Sequence, residues 1–165
     1  MNVRKLTAAG VFCGVLAVIA QLILPLPSGV PLTLQTFAVA LCGFCLGWKY
    51  GLATVGVYLL LGGAGLPVFS SFGGGIGWLL GPSGGYLWGF LPLVWGCGSK
   101  KMPLAFAGLA VCHAMGAVQL SLVAGHSLVQ AFLVGSLPYL LKDAVSVWGA
   151  YRLAKKIPKK FFKNF

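Results

Sequence analysis

The feature that most constrains this chain is a series of six apolar stretches separated by short breaks that carry most of its charge. A helix needs about 20 apolar residues to cross the hydrocarbon core of a bilayer. The pattern therefore predicts an all-α integral membrane protein, a compact bundle of six transmembrane helices forming one domain over residues 1–165. The predicted spans are 6–24, 32–48, 50–66, 84–98, 103–124 and 129–152.

Composition excludes the common soluble classes. Hydrophobic residues make up 59% of the chain and charged residues only 8%, whereas soluble domains are about 25% charged. An ordinary water-soluble enzyme, a disordered segment and a coiled coil are all incompatible with these values. The composition therefore predicts that the chain is embedded in a membrane bilayer.

The basic residues indicate how the bundle is oriented. Twelve Lys and Arg face a single acid, and eleven of the twelve lie beside apolar stretches rather than inside them. If the N-terminus is cytoplasmic, those eleven share its side, and the opposite loops contain none, in accord with the positive-inside rule. We therefore predict a multi-pass protein of the cell membrane with both termini cytoplasmic. The eleven residues are Arg4, Lys5, Lys49, Lys100, Lys101, Arg152, Lys155, Lys156, Lys159, Lys160 and Lys163.

Two other interpretations of these charges are less favourable. The basic residues are not interleaved with aromatics in a patch, so nucleic-acid binding is not expected. A cleavable signal peptide over residues 1–20 is disfavoured because the apolar run is too long and no convincing cleavage site follows it. The first helix is expected to be retained.

Lys142 and Asp143 are the charges that remain inside a span. Counted from Arg152, they lie nine to ten residues up the last helix, about 14 Å deep. Ionisable groups at this depth usually face the bundle interior and serve function. The alternative is that the two only neutralise one another, although a buried ion pair stabilises a fold poorly. Pro138, one turn earlier, is expected to kink the helix.

Several uncharged polar side chains in the spans are expected to line the same cavity. A lining with one carboxylate, one ammonium, amides and hydroxyls suits a small amphipathic ligand with an NH-rich end and an acidic end. The glycine-rich segment 70–85 is then either a flexible outer loop or a wall of the pocket. The polar candidates are Gln21, Thr33, Gln35, Thr36, His113 and Gln119.

Catalysis and metal binding have little support. One acid cannot form a carboxylate pair, and Cys42 and Cys45 form a CxxC within an apolar span that has no second half. We expect no catalytic residue, metal or cofactor. On helix one, Ala9, Cys13 and Ala17 repeat every fourth residue, which allows close approach either of a partner helix or of a helix of the same chain.

Three segments resemble the BioY proteins, the biotin-specific capture components of energy-coupling factor transporters. They are VPLTLQTFAV (30–39), YLLLGGAGLPVFSSFGGGIGWLLGPSGGYLWGF (58–90) and LPYLLKDAVSV (137–147). The resemblance implies a six-helix bundle that binds biotin near its outer face as a transported ligand, not a cofactor. It also implies a separate transmembrane coupling subunit of the EcfT type with two ATPases, contacted through Ala9, Cys13 and Ala17.

The resemblance also implies roles for individual residues. Asp143 would accept the ureido NH groups of biotin, Lys142 would face an acid or stabilise Asp143, and Gln35 with Thr33 would complete the polar contacts. Ser83, Gly85 and Tyr86 would help to enclose the ligand. Many members place a Lys three residues after the acid, where this chain has Ser146, so the group that meets the biotin carboxylate stays open. Other hypotheses are a capture subunit for another vitamin, a membrane enzyme or a channel.

Overall fold

The structure, a computed structural model, describes residues 3–24 and 32–157, and within these ranges the chain is almost entirely helical. The other residues, which include Lys159, Lys160 and Lys163 of the predicted basic tail, lie outside the described ranges. A short antiparallel pair, β1 (Ile23–Leu24) and β2 (Leu32–Thr33), joins the first two helices. The helices are α1 (Val3–Ile19), α2 (Gln35–Gly63), α3 (Ile76–Leu80), α4 (Gly84–Gly98), α5 (Met102–Ala124), α6 (Leu128–Gly135) and α7 (Leu137–Lys156), with a 3₁₀ turn at Ser70–Phe72.

Helix α2 is a hairpin that doubles back at Gly47. That glycine has φ 76° and ψ 173°, a region of backbone space essentially reserved for glycine. The amide of Gln35 donates to the Tyr58 hydroxyl at 2.8 Å, whereas 23 residues of straight helix would span about 34 Å. The two arms of α2 therefore correspond to the predicted spans 32–48 and 50–66.

Local sequence explains where the later helices begin and end. Pro103 occupies the first turn of α5, where its missing N–H costs nothing. Gly125 ends α5 in the left-handed conformation at φ 69°. Ser127 and Gln130 form a reciprocal capping box at the start of α6. The predicted span 129–152 is broken, because α6 and α7 meet at a 51° bend next to Pro138.

Glycines bring the helix backbones close together in the bundle. A Cβ at Gly43 would lie 2.7 Å from the carbonyl oxygen of Val94, and one at Gly108 would lie 2.6 Å from that of Pro92. Neither contact is possible for a larger residue without a shift, so α4 packs closely against α2 on one side and α5 on the other.

The small-residue face of α1 is covered by the chain itself. Ala9 and Cys13 are buried in the same apolar cluster as Cys42 and Val55 of α2, and Ala17 packs against that cluster. At Ala9 and Cys13 the structure shows contact with a helix of the same chain. The partner interface at Ala9, Cys13 and Ala17 stays a prediction.

The bundle exposes large apolar side chains and buries a few polar ones within a mainly apolar core. Leu60, Leu122 and Leu141 are 73%, 80% and 79% exposed, whereas Gln35 and Asp143 are each 5% exposed. By length and apolarity, α2 and α5 each qualify as a membrane-spanning helix, and the bent pair α6 and α7 qualifies as a third. Residues Leu6–Ile19 form a shorter apolar helix. The molecule is a membrane protein built from apolar helices.

Candidate functional site

A cavity opens between α2, α4, α5 and α7, and the glycine-rich segment forms part of its wall. Its empty volume is about 580 Å³, counting the open mouth. Most of its lining is apolar or aromatic, with a few polar groups that converge on one end. The lining residues are Thr33, Gln35, Thr36, Ser70, Trp78, Ser83, Tyr86, Leu87, Phe90, Cys112, His113, Gly135, Tyr139, Lys142 and Asp143.

Asp143 lies at the centre of the polar end. Its Oδ1 is 2.5 Å from Lys142 Nζ, and its Oδ2 is 3.3 Å from His113 Nε2. Thr36 of α2 lines the same cavity. The Lys142 ammonium and the His113 imidazole thus contact the buried carboxylate from α7 and α5.

Several polar atoms here keep hydrogen-bonding capacity that the described part of the chain does not use. Asp143 Oδ1 and both ring nitrogens of His113 are buried and lack a hydrogen-bond partner, because the two ion-pair contacts have suitable distances but not hydrogen-bond angles. Leaving such a group unsatisfied costs about 1–3 kcal/mol. Their position on the cavity wall makes them the groups best placed to meet a polar ligand.

The ammonium group of Lys142 is engaged by two groups of the protein itself. Besides its contact with Asp143, its ammonium donates to the backbone carbonyl of Thr33 at 2.6 Å. That contact ties α7 to the strand before α2. The ammonium therefore neutralises Asp143 and braces the mouth of the cavity at the same time.

Gln35 is oriented by a second hydrogen-bond network. Its Oε1 accepts from the Thr33 hydroxyl at 3.1 Å, and its Nε2 donates to the Tyr58 hydroxyl at 2.8 Å. The Tyr58 hydroxyl in turn donates to the carbonyl of Val68 at 3.0 Å. Each link fixes the next, so the amide faces the cavity in a defined orientation.

Tyr86 fits into its position because two neighbouring residues, Gly116 and Gly135, have no side chain. A Cβ at Gly116 would lie 2.2 Å from its ring, and one at Gly135 would lie 2.7 Å from its hydroxyl. The hydroxyl is 3.1 Å from Ser136 Oγ, which also donates to the carbonyl of His113 at 3.3 Å. The ring meets the His113 imidazole edge to face at 6.0 Å. Helices α4, α5 and α7 are thereby joined around the pocket.

The glycine-rich segment is an ordered wall rather than a free loop. Gln119 donates to the carbonyls of Leu79 and Gly81 at 2.9 and 2.8 Å. Gln21 donates to the carbonyl of Phe69 at 2.9 Å and accepts from the amide of Phe72 at 2.8 Å. Of the two hypotheses for residues 70–85, the pocket wall is the one the structure supports.

Three residues that were expected at the cavity, Gln21, Gln119 and Gly85, do not line it. Gln21 and Gln119 were expected in the cavity, but they hold the glycine-rich segment in place and do not line it. Gly85 does not line it either, because it packs on α5, where a Cβ would lie 2.3 Å from the carbonyl oxygen of Met115. Gly85 is required for helix packing.

The structure brings the other predicted site residues together. Thr33, Gln35, Ser83, Tyr86, Lys142 and Asp143 all line the cavity. Thr36 and His113, which were also expected in the cavity, line it too, although His113 was given no role in binding biotin. Ser70, Trp78 and Tyr139 were not among the predicted site residues and line it as well. Trp78 and Tyr139 had no visible signal in the sequence, since aromatics are frequent throughout the chain.

The lining of this site suits recognition of a small ligand. A fixed carboxylate with free acceptor capacity suits N–H donors, and the apolar walls suit a ring and a hydrocarbon chain. Within residues 3–24 and 32–157, no group of three or more His, Cys, Asp or Glu could hold a metal ion. Cys42 and Cys45 are buried as free thiols that pack in the bundle interior.

Comparison with known proteins gives a consistent set of matches. The family model described as the BioY family matches residues 1–163. A "Biotin transporter BioY" from Thermotoga maritima is 38% identical, over 94% of this chain and 96% of that protein. A "Probable biotin transporter BioY" from Pyrococcus horikoshii is 34% identical, over 95% of this chain and 98% of that protein.

One solved structure agrees with the fold as well. It is the crystal structure of the S-component for biotin from an ECF-type ABC transporter, and it superposes with a TM-score of 0.86. The sequence identity is 25%, and the match covers 95% of this chain and 92% of the other.

Proposed function

This chain belongs to the BioY family, and from that membership we propose that it is the biotin-binding membrane subunit of an ATP-driven vitamin uptake transporter. Relatives matched over nearly their whole length are named biotin transporters. The observation that carries the proposal is Asp143, a buried carboxylate whose Oδ1 has no hydrogen-bond partner among the described residues and lies on the wall of the cavity.

In the proposed complex, the ureido ring of biotin lies at the polar end of the cavity. Asp143 accepts the ureido N–H groups, and His113 supports the carboxylate from α5. Trp78 and Tyr86 enclose the rings and the hydrocarbon chain, as aromatic side chains in small-molecule sites commonly do. Lys142 stabilises Asp143; its contact with the Thr33 carbonyl supports this role over one at the biotin carboxylate.

The proposal includes the assembly and its orientation. The family provides a transporter component rather than an enzyme, and the solved relative is an S-component of an ECF-type ABC transporter. We therefore place this subunit with a transmembrane coupling subunit of the EcfT type and two ATPases, with biotin as cargo and no cofactor. Six spans with both termini cytoplasmic complete the proposal, because the loops on the other side carry no Lys or Arg.

The direct test is calorimetric titration of the purified full chain with biotin, thiamine, riboflavin and niacin. Biotin should bind at least 100-fold more tightly than the other three, because only its ureido group presents paired N–H donors beside an apolar ring and chain. Tighter binding of another vitamin would replace biotin as the ligand. Binding of none of the four would contradict the proposal of a vitamin-capture subunit.

A further inference from the structure

A second cavity lies at the opposite end of the bundle from Asp143. It opens between the first arm of α2, the α4–α5 turn and the end of α7, with an empty volume of about 1,010 Å³ counting its mouth. Lys155 lies 12 residues beyond Asp143 on α7, about 18 Å along the helix. The walls are mainly apolar, and two ammonium groups lie at the rim; the principal residues are Phe44, Tyr151, Ala154, Ile157, Lys100 and Lys155.

The two lysines at this rim have no acidic partner available in the chain. Asp143 is the only Asp or Glu in the sequence, and it is engaged at the other end by Lys142. Lys155 is exposed and lies over the Tyr151 ring at 4.4 Å, and Lys100 is exposed in the α4–α5 turn. Their positive charge is therefore available to an anion from outside the chain.

The surroundings of the cavity have the character of a membrane interface. Arg152 lies over the exposed Trp148 ring at 5.1 Å, and Lys49 lies over the exposed Trp48 ring at 5.3 Å. Tryptophan is enriched at the level of the lipid headgroups, where basic side chains also anchor helices. At this level the phosphates of lipid headgroups are the anions that lie next to Lys100 and Lys155.

We propose that this cavity is a binding site for an anionic glycerophospholipid, with the phosphate between Lys100 and Lys155 and an acyl chain along Phe44, Ala154 and Ile157. Basic pockets between transmembrane helices bind anionic headgroups in this way. The apolar walls distinguish the site from one for free phosphate, which would gain nothing from them. The lipid neutralises the rim of the bundle at the end remote from the vitamin cavity.

Native mass spectrometry of the purified full chain tests this proposal, with phosphatidylglycerol and phosphatidylcholine of identical acyl chains added in turn. Wild-type protein should retain phosphatidylglycerol at least tenfold more strongly than phosphatidylcholine. The double variant Lys100→Gln/Lys155→Gln should lose about 25-fold in phosphatidylglycerol affinity, since each cation contributes about fivefold. The matched control Lys101→Gln/Lys156→Gln removes the same charge from exposed neighbours that do not line the cavity, and it should lose less than fivefold.

A third variant keeps both charges. Ala154→Leu narrows the apolar wall and should also weaken phosphatidylglycerol, while unchanged biotin binding by each variant shows that the bundle is folded. Equal losses in the two double variants, or equal retention of the two lipids, would overturn the proposal. Displacement of the lipid by about 10 mM inorganic phosphate would also overturn it. The ionic strength is held at about 0.1 M, where the Debye length is about 10 Å. Full retention of phosphatidylglycerol by Lys100→Gln/Lys155→Gln would overturn the proposal as well.

Discussion

At the scale of single residues, the site depends on three titratable side chains in contact on two helices. His113 reaches Asp143 from α5 while Lys142 reaches it from the preceding position on α7. The sequence places Lys142 and Asp143 at mid-membrane depth and marks them as functional. It does not show that His113 joins them, because that contact depends on how α5 is rotated against α7.

Replacement of His113 should weaken biotin binding without unfolding the bundle. In His113→Phe the imidazole 3.3 Å from Asp143 Oδ2 is lost, so the carboxylate is held less firmly. We expect about a tenfold loss of affinity, equivalent to about 1.4 kcal/mol, and a smaller loss in His113→Gln. Calorimetric titration measures both. The control is His126→Phe at an exposed position; equal losses at the two histidines would refute a role for His113 in the site.

Titration with two ligands, biotin and its neutral carboxamide, distinguishes two roles for Lys142: stabilising Asp143 or binding the carboxylate of biotin. If Lys142 stabilises Asp143 and braces the Thr33 carbonyl, Lys142→Met should weaken biotin and its neutral carboxamide by the same factor, at least tenfold. If its ammonium meets the biotin carboxylate instead, the loss should be confined to biotin. Titration of wild type and variant with both ligands gives the four affinities needed.

At the scale of elements, sequence patterns locate the helices better than the breaks between them. The limits predicted for α4, 84–98, agree with the structure, and those for α5 differ by one residue at its start. The last predicted span is divided at Ser136, where a proline follows two residues later. The short helix α3 was not foreseen, because its five residues lie in a glycine-rich segment that is held by residues distant in sequence, Gln119 of α5 and Gln21 in the turn after α1.

Gly47 should be essential to the hairpin of α2. Its φ of 76° and ψ of 173° belong to a region that costs a residue with a Cβ about 1–3 kcal/mol. Gly47→Ala should therefore lower the thermal unfolding midpoint in detergent by several degrees. Gly56→Ala is the matched control, since Gly56 is helical and a Cβ there would contact nothing within 4 Å. An equal or higher midpoint for Gly47→Ala would contradict the account of the hairpin.

At the scale of the whole molecule, composition indicates the environment and the distribution of charge indicates orientation. The apolar exterior and buried polar centre follow from 59% hydrophobic residues and one acid. What composition cannot provide is the packing of α1. Its small residues are equally suited to an internal or an external helix, and only the assembled bundle shows Ala9 and Cys13 buried against α2.

Orientation is testable by labelling with a membrane-impermeant maleimide. Residues 101 and 126 flank α5 at opposite ends, and the five native cysteines are all buried. In intact cells His126→Cys should be labelled from outside, whereas Lys101→Cys should be labelled only after the membrane is permeabilised. Labelling of Lys101→Cys in intact cells would reverse the proposed topology.

The central claim is that the buried carboxylate of Asp143 binds biotin, and Asp143→Asn tests it most directly. The substitution keeps the shape of the side chain but removes the charge and turns one acceptor into a donor that faces the ureido N–H groups. Purified wild-type and variant protein are titrated with biotin by calorimetry. We predict that the affinity for biotin falls by between about tenfold and 100-fold, as expected for the loss of a hydrogen bond to a charged group. Wild-type affinity in Asp143→Asn would contradict the account.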